Sequence, residues 1–215
     1  KEEIEKVCNS IGVVSRYQVE TRINTSDLCL AAAKHLIKNI KWNINSIDGI
    51  ILLTQTPDSK LPASAFKIHK LLGLSSNAFA FDVNLGCSAY PYGLWLGSSL
   101  MHSGAKRVLI LAGDTISKIV DKNDRSTALL FGDAGTATAI NCSNLNQWKF
   151  SLGSDGTGIE NIKSEFNSCL NMSGSKVFEF TLSKIPNLIK TIDNVNSKPH
   201  DLYFFHQANK FMLNF

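Results

Sequence analysis

One cysteine stands where a protein can convert a thiol into a nucleophile. Cys87 follows the strand-like segment 78–83, and Pro91, which a helix tolerates only near its first turn, indicates that a helix starts beside it. At a helix N-terminus the partial positive charge and the unpaired backbone N–H groups favour the thiolate, the form that attacks a carbonyl carbon. The same N–H groups can hold an oxyanion, so the position predicts acyl transfer through a thioester.

The alternative for Cys87 is a structural role. A free cysteine is commonly a small buried hydrophobic residue, and only the junction between strand and helix argues otherwise. The sequence has five cysteines, and those without a comparable junction are assigned no chemistry: Cys8, Cys29, Cys142 and Cys169.

A histidine near the end of the sequence is the second candidate. His206 ends the apolar run 202–205, and side chains at strand ends form the sites of α/β proteins. Taken alone, a structural role explains it better. The remaining histidines lie in predicted helices or in a turn, where solvated or helix-end roles suffice: His35, His69, His102 and His200. No constellation of ligands predicts a metal site.

These candidates must be positioned by an α/β fold. Continuous apolar runs predict buried strands, and apolar residues at helical spacing between them predict covering helices. Strands are predicted at 47–53, 78–83, 107–112, 131–140, 148–152 and 201–205. Helices are predicted from Thr25 to the polar stretch 43–46, from Pro62 to Gly73, after Cys87 to near Gly104 and within 175–194. The glycine-rich stretches 132–135 and 153–158 lack phosphate-loop spacing and are interpreted as tight turns.

Composition narrows the class of protein. The 215 residues are 44% hydrophobic and 19% charged, which provides the apolar material for a sizeable core. The formal charge of +4 is slight, and no basic cluster with interleaved aromatic residues predicts nucleic-acid binding. No stretch approaches the roughly 20 apolar residues of a membrane helix. With its scattered cysteines, the chain is expected to be a soluble cytoplasmic protein without a nucleic-acid or membrane partner.

Several motifs, taken in order, resemble β-ketoacyl-acyl-carrier-protein synthase III over nearly the whole chain. They are Asn84–Tyr90, Ser103–Ala105, Leu109–Asp114, Asp124–Arg125, Phe131–Gly135, Met172–Phe178 and His206–Asn209. The resemblance implies a thiolase-like α/β fold of two related halves, each built on a mixed five-stranded sheet with layered helices. The halves are expected at residues 1–145 and 146–215, the second one incomplete. A weak echo between 46–55 and 197–207 agrees with two related halves.

The resemblance also implies a reaction, the one that initiates fatty acid biosynthesis. In this acyltransferase reaction Cys87 accepts an acyl group from acyl-coenzyme A. His206, with an asparagine, then stabilises the anion formed when malonyl-acyl-carrier protein loses carbon dioxide, and the carbanion attacks the Cys87 thioester to give 3-oxoacyl-acyl-carrier protein. No metal or cofactor is implied. The implied partners are acyl carrier protein, coenzyme A thioesters and a second copy of the chain in a homodimer.

Three further positions match substrate-binding residues of that family. Arg125 matches an arginine that contacts the coenzyme A nucleotide, and Asn209 matches a residue that lines the pantetheine tunnel. Leu61 matches the residue that one subunit lends to cap the acyl pocket of its partner.

The sequence departs from the family pattern at its start and its end. Ser10 and Val14 stand where housekeeping members have arginines beside the coenzyme A phosphates, and Lys6 stands where they have a tryptophan. Neither Ser nor Val can form a bidentate pair with phosphate. The sequence ends nine residues after His206, so the catalytic asparagine and the oxyanion glycine are expected outside it. The opening strand, expected at the centre of the first sheet, is also expected outside it.

Three functions therefore stay open. The first is a condensing enzyme that initiates fatty acid synthesis, and the second is a related acyltransferase of a secondary or polysaccharide pathway. The changed segment around Ser10 and Val14 somewhat favours the second. The third is a non-catalytic subunit with a thiolase fold, which the presence of both Cys87 and His206 argues against.

Overall fold

The computed structural model describes residues 2–142, 148–165, 167–194 and 200–214. Its helices are α1 (Glu2–Ile11), α2 (Thr25–Ile40), α3 (Ser64–Leu72), α4 (Ala89–His102), α5 (Arg125–Ala128), α6 (Gly174–Asn194) and α7 (Lys210–Leu213), with 3-10 helices at Ile44–Ser46, Ile116–Lys118 and Gly156–Asn161. Its strands are β1 (Gly49–Leu53), β2 (Phe79–Val83), β3 (Arg107–Asp114), β4 (Ala134–Asn141), β5 (Ile162–Lys163) and β6 (Asn171–Met172). Within these ranges, no helix has both the length and the apolar composition needed to cross a bilayer.

The chain divides into two compact units. Tyr17–Lys118 and Gly132–Trp148 form one, called the sheet unit; Lys1–Arg16, Ile119–Phe131 and Lys149–Phe215 form the other, called the terminal unit. The predicted division between residues 145 and 146 lies outside the described residues, as do residues 197–199 of the echo. Both stay predictions.

The sheet unit is built on four strands in the order β2-β1-β3-β4. β1 is parallel to both β2 and β3, and β4 is antiparallel to β3. β1 and β3 pair directly, with Gly49 opposite Val108, so the expectation of an opening strand at the centre of this sheet is wrong. The described residues supply four of the five strands expected for this half.

The parallel register brings three strand ends together. Leu53, the last residue of β1, lies level with Val83 of β2 and with Ala112 of β3. The carboxyl ends of β1, β2 and β3 therefore meet at one edge of the sheet, where ligand sites of α/β folds form. β1 is buried along its whole length, as its continuous apolar run predicted.

Helix α4 packs closely against one face of this sheet. Ala89, Gly93 and Gly97 recur every fourth residue and form a buried stripe of small residues. A β-carbon built on Gly93 would lie 2.7 Å from Leu53 Cδ1, and one built on Gly97 would collide with Ile140. The opposite face is covered by α2 and α3, whose buried residues include Cys29, Ala33, Ile37, Ala65 and Ile68.

In the terminal unit two of the predicted strands are wrong. Residues 148–152 and 201–205 have no strand geometry, whereas α6 confirms the helix predicted within 175–194. The one strand pairing described in this unit is antiparallel, with Ile162 of β5 opposite Met172 of β6. An apolar run becomes a strand only where a neighbouring strand meets its backbone N–H and C=O groups, and no described residue of this unit offers that to 201–205.

Candidate active site

Cys87 lies in the turn that joins β2 to α4. The turn closes through a hydrogen bond from Ala89 N to Gly86 O at 2.8 Å, and Ser88 is the N-cap of α4. The helix therefore begins two residues after Cys87, which confirms the helix predicted to follow this residue. Cys87 is solvent-exposed, which suits a nucleophile and differs from the core cysteine considered as its alternative.

The surroundings of Cys87 raise the pKa of its thiol, so the expected stabilisation of the thiolate is wrong. Burial is the main cause, and the negative charge of Asp114 adds to it, while the backbone N–H of Cys87 acts in the opposite direction. Because one side of the residue reaches solvent, water offsets part of the burial.

A second segment begins at the same edge of the sheet: residues 54–63, called the β1–α3 loop. Its first residues are held by the carboxylate of Asp114 at the end of β3. Oδ1 of Asp114 accepts hydrogen bonds from Thr54 Oγ1 (2.9 Å), Gln55 N (2.8 Å), Thr56 N (3.0 Å) and Thr56 Oγ1 (2.9 Å). Asp114 therefore joins the carboxyl ends of β1 and β3.

Gln55 brings this loop against the turn that carries the thiol. A β-carbon built on Gly86 would lie 2.6 Å from Gln55 Oε1 and 3.1 Å from its Cδ. The side-chain amide of Gln55 thus contacts the backbone immediately before Cys87. A side chain at 86 would displace the end of the Gln55 side chain.

The middle of the β1–α3 loop is held by Asp58. Its carboxylate accepts hydrogen bonds from Ser26 N at 3.1 Å and Ser26 Oγ at 2.6 Å, and it pairs with Lys67 Nζ at 3.0 Å. The backbone N–H of Asp58 donates to Ser64 Oγ at 2.9 Å. Beyond this anchor, Leu61 stands at the tip of the loop and is 81% exposed.

His206 belongs to the terminal unit and follows the irregular segment 201–205. Partial burial of the ring lowers its pKa, so the imidazole is neutral at pH 7 and has one N–H donor and one acceptor nitrogen. Ala208 N donates to His206 O at 3.0 Å, which turns the backbone sharply at this point.

The two remaining residues of this unit singled out in the sequence both lie at helix starts. Asn209 is the N-cap of α7, and its Oδ1 accepts a hydrogen bond from Met212 N at 2.8 Å. Arg125 is the first residue of α5, exposed, and follows the N-cap Asp124. Both backbone positions are fixed locally by a cap.

The structure thus assigns the predicted residues to two groups. Cys87 and Leu61 belong to the sheet unit, and Arg125, His206 and Asn209 belong to the terminal unit. Gln55, Asp58 and Asp114, which the sequence did not single out, complete the surroundings of Cys87 and Leu61. Asp114 ends one buried strand, and Gln55 and Asp58 lie in the loop after another, a pattern that becomes meaningful once the strand order is known.

Comparison with known proteins assigns this arrangement to a family. The family model for 3-oxoacyl-[acyl-carrier-protein] synthase III matches residues 81–156, which include Cys87. A β-ketoacyl-[acyl-carrier-protein] synthase III of Lactococcus lactis is 32% identical over 228 residues, covering 97% of this chain and 70% of the relative. A relative from Campylobacter jejuni, named provisionally as a 3-oxoacyl-[acyl-carrier-protein] synthase 3, is 32% identical, and the chain spans 65% of its length.

Solved structures of known proteins support the same family. A 3-oxoacyl-(acyl-carrier protein) synthase from Burkholderia xenovorans superposes with a TM-score of 0.91 at 38% identity, over 99% of this chain and 68% of that one. The synthase III of Thermus thermophilus gives a TM-score of 0.88 at 30% identity, over 98% of this chain and 70% of that one. These matches confirm the predicted thiolase-like fold class and the predicted type of enzyme, a condensing acyltransferase of fatty acid biosynthesis initiation. The chain belongs to the 3-oxoacyl-[acyl-carrier-protein] synthase III family.

Proposed function

We propose that Cys87 accepts an acyl group from a coenzyme A thioester. The thiolate attacks the thioester carbonyl, the carbon–sulfur bond to coenzyme A breaks, and the coenzyme leaves as its thiolate, which then takes a proton from water. The observation that carries this proposal is the exposed position of Cys87 in the β2–α4 turn, at the edge where three parallel strands end. A thiol inside the core could not reach a thioester.

The second half-reaction is a decarboxylative condensation with malonyl-acyl-carrier protein. Loss of carbon dioxide leaves a carbanion, which attacks the acyl carbonyl on Cys87, releases the thiolate and gives 3-oxoacyl-acyl-carrier protein. His206 donates a hydrogen bond to the thioester oxygen while negative charge accumulates there. Its lowered pKa is compatible with this role, because a neutral imidazole still has one N–H to donate.

Arg125 and Asn209 are proposed to bind the coenzyme A and pantetheine parts of the substrates. Arg125 is an exposed residue, and an arginine side chain suits a phosphate or an adenine ring. The side chain of Asn209 can also donate a hydrogen bond through Nδ2, because the contact with Met212 uses Oδ1. The reaction as written needs no metal and no cofactor.

A homodimer is proposed as the assembly. In the described residues β2 pairs with β1 alone, so its outer edge presents N–H and C=O groups that a second copy can pair with. Leu61, exposed at the tip of the β1–α3 loop, is proposed to cap the partner's acyl pocket.

A second candidate is acyl transfer in a secondary or polysaccharide pathway. Val14 is 99% exposed and uncharged at a position where a coenzyme A phosphate would need a cation. The nearby Arg16 does not replace it, because its guanidinium donates to the backbone carbonyls of Ala128 and Phe131. This favours an acyl donor other than a housekeeping coenzyme A thioester.

Intact-protein mass spectrometry of the full-length protein tests the proposal. Acetyl-coenzyme A and longer acyl donors should add the mass of the acyl group, and Cys87→Ala should abolish the gain. Cys142→Ala and Cys169→Ala are matched controls, because both residues are exposed cysteines without an assigned role. If no donor gives an adduct, the enzyme proposal is wrong; a preference for long or unusual donors would support the second candidate.

A further inference from the structure

Asp114 differs from the other carboxylates of the sheet unit in the segment that it binds. Its Oδ1 accepts from a continuous run of three residues, Thr54 to Thr56, through two backbone N–H groups and two hydroxyls. Asp48 is a useful contrast at the opposite edge of the same sheet. It accepts hydrogen bonds from Lys106 N and Arg107 N at 2.6 and 2.8 Å, at the amino end of β3.

The contacts of Asp114 continue into a buried hydroxyl cluster. Thr56 Oγ1 accepts a hydrogen bond from Thr115 N at 2.8 Å and lies 2.9 Å from Thr25 Oγ1. Thr25 and Thr115 are both buried, and Thr25 Oγ1 also donates to Thr56 O at 2.7 Å. Low local dielectric strengthens such a satisfied network, so the start of the β1–α3 loop has one fixed conformation.

The fixed first residues of the β1–α3 loop contact the β2–α4 turn, which contains Cys87. The backbone N–H of Gln55 is bound to Asp114, and its side-chain amide contacts Gly86, the residue before Cys87. We propose that Asp114 is a positioning residue for the Cys87 nucleophile: by holding residues 54–56 it keeps the Gln55 side chain against the Gly86–Cys87 turn. This rests on the proposed role of Cys87 as the acyl acceptor.

The charge of Asp114 has a second, separable effect. Among the described residues, Asp114 is the charged side chain that acts on the Cys87 thiol, and its negative charge disfavours the thiolate. Asparagine at 114 keeps an oxygen acceptor for the loop but removes the charge. Alanine removes both. The two substitutions therefore separate the positioning of the loop from the electrostatic effect on the thiol.

The experiment measures the alkylation rate of Cys87 by iodoacetamide against pH in the full-length protein, with the modified peptide identified by mass. Asp114→Asn should move the midpoint of the profile to lower pH by about half a unit. Asp114→Ala should show a similar shift and, in addition, an acyl-transfer kcat lowered by about tenfold because Gln55 is released. Asp48→Asn, a carboxylate that also binds two backbone N–H groups, should leave the midpoint unchanged.

The outcomes separate this inference from the proposed function. Alkylation needs no substrate, so its profile is interpretable even if wild-type Cys87 takes up no acyl group. An unchanged kcat in Asp114→Ala, or an equal loss of kcat in Asp48→Asn, would overturn the inference, whereas the midpoint in Asp114→Asn reports only on the electrostatic effect. If Asp114→Ala does not fold, Asp114→Asn together with Gln55→Ala decides it: kcat should fall in Gln55→Ala at an unchanged midpoint, and an unchanged kcat there counts against positioning.

Discussion

Gly135 of β4 lies directly against Leu28 of α2. A β-carbon built on Gly135 would come within 2.6 Å of both the carbonyl carbon and the Cβ of Leu28. These atoms belong to the backbone of α2 or are attached directly to it, so they cannot rotate away as the end of a side chain can. Gly135→Ala should therefore lower the free energy of unfolding by about 1–3 kcal/mol, measured by urea denaturation followed by circular dichroism.

Gly156→Ala is the control for that substitution. A β-carbon built on Gly156 has no heavy atom within 4 Å, so this variant should unfold within about 0.5 kcal/mol of the wild type. If the free energy of unfolding of Gly135→Ala is no lower than that of Gly156→Ala, the contact between α2 and β4 is looser than described.

The cysteines of the sheet unit should differ sharply in reactivity. Cys29 is fully buried, and burial, with the charges of Asp114 and Asp58, raises its pKa to about 12. In the folded protein at pH 8, iodoacetamide should modify Cys87 within minutes to hours and leave Cys29 unmodified. In urea the two should react at similar rates, which peptide mass spectrometry can follow; rapid labelling of Cys29 without urea would contradict the packing of α2.

Stability in acid should depend in part on Asp27. Burial acts to raise its pKa, but the hydrogen bond from Asn24 N and the pairing with Lys67 lower it below the usual value. A lowered folded-state pKa adds stability that is present above the unfolded value of about 4 and is lost as pH falls through the folded value. Between pH 5 and pH 2, Asp27→Asn should therefore lose stability less steeply than the wild type.

The effect of Asp27 should be small, because its side chain is 34% exposed and solvent screens the pairing. Glu20→Gln is the matched control: Glu20 pairs with Arg22 but is 71% exposed, so its pH profile should follow the wild type. Chemical denaturation at a series of pH values measures both. Parallel profiles for wild type and Asp27→Asn would exclude the contribution of Asp27.

His206 should separate the two half-reactions. His206→Ala should still form the acyl adduct on Cys87 but lose condensation by about 10²–10³-fold, because it removes one donor to the developing oxyanion. His206→Gln keeps an N–H donor and should retain more activity than His206→Ala. His102→Ala, at the end of α4, is the control and should leave both half-reactions unchanged.

The pH dependence of condensation follows from the same residue. In the proposed mechanism the neutral imidazole is the active form, and the pKa of His206 lies below the usual value of about 6.5. Condensation should therefore persist in acid until the pH falls below that usual value. Loss of condensation already above pH 7, in step with protonation of His206, would contradict the lowered pKa.

The core strands were predictable from sequence because their signal is local. Ile50 to Leu53 and Val108 to Leu111 are continuous apolar runs, and both are buried in the centre of the sheet. Residues 202–205 have a similar composition yet form no strand. Strand formation depends on a partner as well as on composition, and composition alone cannot reveal the partner.

The surroundings of the candidate nucleophile were predictable only in part. Cys87 was found from its residue type and its position after a strand. Gln55 and Asp114 were not, because they meet only through the direct pairing of β1 with β3, which the sequence does not specify. The pKa of Cys87 was predicted in the wrong direction for the same reason: the dipole of α4 is a local feature, whereas desolvation and the charge of Asp114 arise from the tertiary fold.

The stripe of Ala89, Gly93 and Gly97 has a consequence for how substrate specificity can change in this protein. Because α4 touches the sheet through residues without bulk, larger residues at 93 or 97 would push the helix away from Leu53 and Ile140. Changes of substrate specificity are therefore expected in exposed loop residues such as those at 59–62, while the packing that stabilises the sheet unit stays untouched.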